Sequence, residues 1–442
     1  MTETRRAAPR IPFDVVDEAV HVLDREAEPW SIQLEVRLPG TVDEDRLRRA
    51  VGEALTRHPG SRARKVATAR RTERRYHWEV TEVPEVDPVR VVDCPAEEDL
   101  VEARSRLLDL SVPLSESPPL RLRLARRPDG DTVMVNVNHA ASDGVGSLRF
   151  LQSVSRAYAG RPDATPDVDP LRARDLGAAV GSSDLRTRLL RGVVLAEKLR
   201  DLVAPPSRIT PDQGTDRPGY GFHFVRLDTR DTARLADAPH RGTVNDVLLA
   251  ALHLTVDAWN RDHGAPPRRI GAMVPMNLRP AQWRWEVMGN LFLPVRVATD
   301  RHDRSSPESA LEAVTAQTRR FKESGTGPAL LELLRRSPSL PLGAKEATSP
   351  LLWLTGNRLL DTTLLTNLGQ LDDPPTFGES PEEVELWFSA PARMPLGLSL
   401  GAVTVAGRLH LAFRYRHPLL GPGPAQSLAQ LYVSVLERFL AR

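Results

Sequence analysis

Residues 133–154 admit one local geometry. Val133, Val135 and Val137 alternate with Met134, Asn136 and Asn138, the period of two that marks a strand. Asp143-Gly144 supplies turn chemistry, and Leu148, Leu151 and Val154 return at helical spacing. A turn between a strand and a helix is held at both ends, so a side chain within it keeps one position. His139 arrives as the strand runs out, and its neighbours Ala140, Ala141 and Ser142 are too small to shield an imidazole. A histidine in that place can take a proton near neutral pH.

The segments before it are patterned as strongly. Leu120, Leu122 and Leu124 alternate with Arg121 and Arg123, and Arg127-Pro-Asp-Gly130 joins that strand to the next as a hairpin. Further upstream, Ile32, Leu34, Val36 and Leu38 alternate with Gln33, Glu35 and Arg37 until Pro39-Gly40 ends the run. Thr41-Val-Asp-Glu44 has capping-box spacing, and Leu47, Val51, Ala54 and Leu55 give the following helix its apolar face. His58 reads as the cap of that helix, where a cation suits the helix dipole. Residues 76–80 read as a further strand, and a short helix runs through Leu107.

After the helix that follows residue 144, residues 161–170 are rich in proline and acid and mark a domain boundary. Residues 185–203 set Leu189, Leu190, Val193, Val194, Leu199 and Leu202 against Arg186, Arg188, Arg191, Lys198 and Arg200. That basic amphipathic helix reads as a linker packed across two lobes, with contact to a membrane surface as the other use of such a face. The second lobe opens with a strand over 222–227. Thr243-Val-Asn-Asp246 starts a helix in which His253 is packed and not catalytic. Residues 270–279 run as a buried strand into Arg279, which needs an acidic partner if it turns inward. Strands are expected over 291–297, 363–367, 384–389, 398–405 and 409–415, with helices over 306–321 and 425–440. The division is therefore an N-terminal lobe over 1–165, a linker over 166–220 and a C-terminal lobe over 221–442, each lobe α+β with one sheet.

Composition removes several functions. With 442 residues and a net charge of +2, the chain lacks the basic excess of a dedicated nucleic-acid binder. Cys94 is the sole cysteine, which excludes an internal disulfide and cysteine-rich zinc sites. His139 and Asp143 could both be metal ligands, but two are too few for a catalytic zinc. The polar N-terminus is no signal peptide, and no uncharged apolar run approaches the ~20 residues that span a bilayer. The expectation is a cytoplasmic monomer, peripheral to a membrane at most.

Asn138-His139-Ala-Ala-Ser-Asp143-Gly144 resembles the His-His-x-x-x-Asp-Gly motif of the condensation-domain superfamily, which includes peptide-synthetase condensation domains, wax-ester synthases and polyketide-associated acyltransferases. Leu55-Thr-Arg-His58-Pro59, Pro119-Leu-Arg121, Val244-Asn-Asp246, Val274-Pro-Met-Asn-Leu-Arg279, Gly289-Asn290 and Thr366-Asn-Leu-Gly369 resemble further family landmarks, in the family's order. The first motif histidine is Asn138 here, and the Asp-Phe-Gly-Trp-Gly motif of the plant branch is missing. The resemblance implies two chloramphenicol-acetyltransferase-like lobes in a V, with a central tunnel and His139 within it. It also implies a structural ion pair between Asp143 and Arg279.

The chemistry implied is acyl transfer from a thioester, on CoA or on a phosphopantetheinyl carrier protein, to an amine or a hydroxyl. No bound cofactor or metal is expected, and the thioester is a co-substrate. His139 would be the general base, and backbone N–H groups after Gly144 would meet the oxyanion. Asn138, Gly144 and Asn367 are expected to line the site. The rival is a catalytically silent relative that binds a carrier protein or another partner, for which Asn138 is the best argument.

Overall fold

The computed structural model describes residues 9–24, 26, 28–67, 72–164, 168–176, 204–237, 242–280, 283, 288–323, 341–344 and 360–440. The helix expected over residues 185–203 lies outside them. In chain order the first half holds β1 (Arg10–Pro12), α1 (Val15–Leu23), β2 (Ser31–Arg37), α2 (Glu44–Arg57), β3 (Ala63–Lys65) and β4 (His77–Val80). It continues through β5 (Val89–Asp93), α3 (Glu97–Leu108), β6 (Leu120–Arg126), β7 (Thr132–Asn138) and α4 (Gly144–Tyr158). The second half holds β8 (Tyr220–Arg226), α5 (Thr229–Asp237), α6 (Val244–Asp262), β9 (Arg269–Asn277), β10 (Phe292–Asp300) and α7 (Pro307–Glu323). It closes with β11 (Thr363–Gln370), β12 (Glu385–Ser389), β13 (Leu398–Val405), β14 (Arg408–Arg416) and α8 (Pro422–Leu440).

These strands form a five-stranded sheet in the order β12-β2-β7-β6-β5, a six-stranded sheet in the order β10-β9-β11-β13-β14-β8, and a small sheet β1-β4-β3. β7 lies in the middle of the first, antiparallel to β2 and to β6, so the register of the strand that delivers His139 is fixed on both edges. Val133, Val135 and Val137 enter one core with Leu47, Val51, Leu148, Leu151 and Val154 of α2 and α4. The opposite face is not left to water, as the alternation would suggest. Met134 packs there with Cys94, Leu100 and Leu107, and Asn136 donates to the Leu107 carbonyl at 2.7 Å, so α3 covers it. In the second sheet α6 and α8 bury their apolar faces together, and Tyr432 donates its hydroxyl to the Leu248 carbonyl at 3.1 Å. His253 is packed in this core, with Nδ1 2.7 Å from Thr299 Oγ1.

Two expectations change. The strand over 384–389, assigned by the sequence to the lobe 221–442, leaves it as β12 and pairs antiparallel with β2. The physical gain is that β2 keeps no open edge, since β7 takes the other side. Neither lobe is therefore built from one continuous stretch, and the small sheet is a third one. His58 does cap α2, its N–H donating to the Ala54 carbonyl at 2.9 Å, but not as a cation. Burial pushes its imidazole down to about 3, and Nε2 lies 2.8 Å from Ser153 Oγ. Among the described residues no helix is long and apolar enough to cross a membrane.

Candidate active site

The turn between β7 and α4 opens on a cavity of about 210 Å³ that is continuous with solvent. α1 contributes Val16, Val20 and Leu23 to its wall, β9 and β10 contribute Met273 and Phe292, and the end of β12 contributes Phe388. His139, Asp143, Gly144, Asn367 and Arg279 also line it. Most of the lining is apolar, with few polar groups converging on one region, the usual make-up of a small-molecule site.

His139 is held from several sides. Its N–H donates to the Trp30 carbonyl at 3.0 Å, and its ring stacks on Phe292 with centroids 5.3 Å apart. Nδ1 lies 3.1 Å from the Ser142 carbonyl oxygen, which can only accept, so Nδ1 carries the proton. The lone pair is then on Nε2, for which the described residues supply no partner. Burial pushes the imidazole below its ordinary value near 6.5, and the Asp143 carboxylate opposes that only in part. At neutral pH the ring is an uncharged base of defined tautomer.

Asp143 caps α4 and is fully committed. Arg279 forks over it, with both nitrogens 2.7 Å from the two carboxylate oxygens. The N–H groups of Gly146 and Leu291 add donors at 2.9 Å each. Burial opposes ionisation, but the Arg279 charge and these bonds hold the carboxyl below the usual carboxylate range. The Gly146 N–H is thus spent on Asp143. Among the described residues no acceptor takes the N–H of Gly144 or of Val145, the first two of the helix. Gly144 has no room for a side chain, because a Cβ there would lie 2.7 Å from Phe388 Cζ.

Asn138 departs from expectation. It does not line the cavity; its Nδ2 donates to Asp24 Oδ2 at 2.9 Å and to the Val112 carbonyl at 2.8 Å, and its Oδ1 accepts from the Ala140 N–H at 3.0 Å. The side chain ends β7 and braces the turn from behind. Asn367 does line the cavity, with Oδ1 accepting from the Gly369 N–H at 2.8 Å.

Sequence reasoning missed α1 altogether, and with it Asp17. The signal was present: Asp14 and Asp17 form a capping box, and Val16, Val20 and Leu23 recur at helical spacing. Asp17 is buried and accepts from Trp78 Nε1 at 3.0 Å, an Arg174 nitrogen at 3.2 Å and Asn290 Nδ2 at 2.9 Å. In the sequence Asn290 stands out only as part of Gly289-Asn290, and nothing marks Arg174.

No family model matches the chain. The uncharacterized protein Rv2305 of Mycobacterium tuberculosis (strain ATCC 25618 / H37Rv) is 33% identical over 440 residues, 99% of this chain and 100% of that protein. The chain belongs to the family of Rv2305. Its fold is shared with solved condensation and epimerization domains of peptide synthetases. The first condensation domain of the calcium-dependent antibiotic synthetase superposes with a TM-score of 0.70 at 16% identity, over 98% of this chain and 97% of that one. The epimerization domain from the third module of tyrocidine synthetase B superposes with a TM-score of 0.67 at 17% identity, over 100% and 98%. Sequence identities this low establish the fold, and the reaction has to be argued from the site.

Proposed function

We propose that the protein is an acyltransferase that moves an acyl group from a thioester to an amine or a hydroxyl, with His139 as general base. The observation that carries this reading is a neutral imidazole whose tautomer leaves Nε2 unpartnered at the edge of an apolar cavity. Nε2 takes the proton of the acceptor as its oxygen or nitrogen bonds to the thioester carbonyl carbon. The tetrahedral oxyanion collapses with cleavage of the C–S bond, and the imidazolium returns the proton to the leaving thiolate. The free N–H groups of Gly144 and Val145 are suited to the charge that develops on oxygen. Asp143 is tied by four hydrogen bonds, so it steadies the turn and relays no proton. The donor, acyl-CoA or an acylated phosphopantetheinyl carrier protein, is a co-substrate and not a resident cofactor.

Two observations weigh against other readings. A silent binder would be favoured if Asn138 stood in the cavity in place of a working histidine, but its bonds run away from it. Epimerization calls for a second acid opposite the base. Among the described lining residues His139 is the titratable side chain not held in an ion pair, which supports a single-base reaction.

The test is thiol release from acyl-CoA and acyl-carrier thioesters, in the presence of a panel of alcohols and amines. Acceptor-dependent release from one donor class, lost in His139→Ala, is the expected result. Release from neither donor overturns the reading in favour of a silent binder.

A further inference from the structure

The turn that carries His139 has every carbonyl committed. The Asn138 oxygen accepts from the Ala141 N–H at 2.9 Å, and the Ser142 oxygen meets His139 Nδ1. The three carbonyls between them are taken by side chains from elsewhere. Asn290 Nδ2 lies 2.8 Å from the His139 oxygen and 2.9 Å from the Ala140 oxygen, and Arg174 donates to the Ala141 oxygen at 3.0 Å. Both of these side chains also donate to one carboxylate, that of Asp17. Asn290 faces three acceptors with its nitrogen, so its orientation is determined by its surroundings. Asp17 itself lies on α1, between Val16 and Val20 of the cavity wall.

We propose that Asp17 is a positioning residue, whose buried carboxylate holds Asn290 and Arg174 against the backbone of residues 139–141 and so keeps His139 Nε2 aimed into the cavity. The inference rests on the reading of His139 as the working base. A carboxylate is needed because two donors, one of them cationic, converge on it with Trp78 as a third. A neutral amide would accept on one atom only and would turn an N–H toward one of these donors. Replacing the Asp17 carboxylate also removes a negative charge close behind the imidazole, which disfavours the imidazolium, so the substitution acts on the base as well as on its aim.

Asp17→Asn is expected to lower kcat by about 10- to 100-fold, the range for supporting residues around a reactive group. KM for the thioester should change less than kcat, and the acid limb of the rate profile should move to lower pH. Trp78→Phe is the control. It removes the indole donor to Asp17 but keeps an aromatic ring near the Arg174 guanidinium, which lies 5.4 Å from the Trp78 ring, and should lower the melting temperature while sparing kcat. A wild-type kcat and acid limb in Asp17→Asn overturn the proposal, as does a loss of rate in both variants that follows their stability. Should Asp17→Asn fail to fold, Asn290→Ala keeps the carboxylate and its other donors, and an unchanged kcat there overturns it too. Amide hydrogen exchange across residues 139–143 is independent of turnover. Faster exchange in Asp17→Asn than in Trp78→Phe supports the clamp, and equal exchange sinks it. If the wild type turns over no thioester, the acyltransferase reading fails while the exchange measurement still decides this one.

Discussion

Arg279 reaches from the end of β9 to Asp143 at the start of α4, and each of its terminal nitrogens meets one carboxylate oxygen at 2.7 Å. The two residues stand 136 positions apart, so this pair ties the second half of the chain to the turn that carries His139. Both side chains are almost wholly buried. Arg279→Ala would leave a carboxylate in a dry site with two backbone donors and no countercharge. Removing one partner of a buried pair costs roughly 3–5 kcal/mol, and that is the loss expected in urea unfolding. Arg279→Lys should recover only part of it, because an ammonium cannot fork over two oxygens. Normal unfolding with selective loss of turnover would instead make Arg279 a substrate ligand.

The pH dependence of the reaction follows from burial of His139. A base works unprotonated, and burial, opposed in part by Asp143, places its folded pKa below the ordinary value near 6.5. The rate constant kcat/KM should therefore persist below pH 6.5 and fall only as the pH drops through that lower value. His139→Ala should remove the limb and lower turnover by roughly 10²–10⁴-fold with the fold intact. A limb at or above the ordinary histidine value would assign the base to another group.

Stability in acid should be set by other histidines. Burial holds His58 and His253 at about 3, whereas in the unfolded chain each titrates near ~6.5. Because the folded value is the lower one, the unfolded state binds more protons in between. Their contribution to stability is complete above about pH 6.5 and declines toward pH 3, by roughly 1.4 kcal/mol per pH unit for each such group. Asp14, pushed up to about 6 by burial and by Asp17, acts in the opposite sense, since it gains a proton on folding. His58→Gln keeps a donor for Ser153 and should flatten the slope of unfolding free energy between pH 6.5 and 4 by about one proton. An unchanged slope would mean that His58 is not neutral in the folded state.

Much of this was legible in the chain because it is local. The alternation through Val137, the turn at Asp143-Gly144 and the helical spacing after it describe β7 and α4 without reference to anything distant. An Arg after an apolar strand calls for an acid, which the family resemblance named as Asp143. What escaped was set by contacts remote in sequence. That β12 would cross to β2 depends on which edge needs a partner, and no residue of 385–389 announces it. The cap position of His58 is local and suggests a cation, while the burial that neutralises it comes from α4 packed against α2. α1 is the exception: its capping box was readable, and its shortness let it pass.

The cavity makes a prediction about the acyl group. Asp143 and Arg279 are the charged residues among those described around it, and each satisfies the other. An uncharged hydrocarbon chain gains about 0.8 kcal/mol per buried methylene, or about fourfold in kcat/KM, until the space is filled. A series of straight-chain acyl thioesters should rise in that way and then level off, with ω-carboxylated chains rejected. Val20→Trp, on the cavity wall, should move the optimum to shorter chains. Preference for a charged acyl group would contradict the assignment.

Gly144 and Phe388 test whether the crossing strand shapes the site. Phe388 belongs to β12, and its ring end occupies the place where a side chain on residue 144 would go. Gly144→Ala puts a methyl group 2.7 Å from that ring, an overlap that must push either β12 or the start of α4 aside. Overpacking of this kind costs roughly 1–3 kcal/mol. Here it should also displace the Gly144 and Val145 N–H groups, so turnover should fall further than stability alone explains. Phe388→Leu makes room at the same point. In the double variant the stability loss should be smaller than the sum of the two single losses, and turnover should recover in part. Strict additivity in both quantities would show that Gly144 is required for a reason other than its fit against β12.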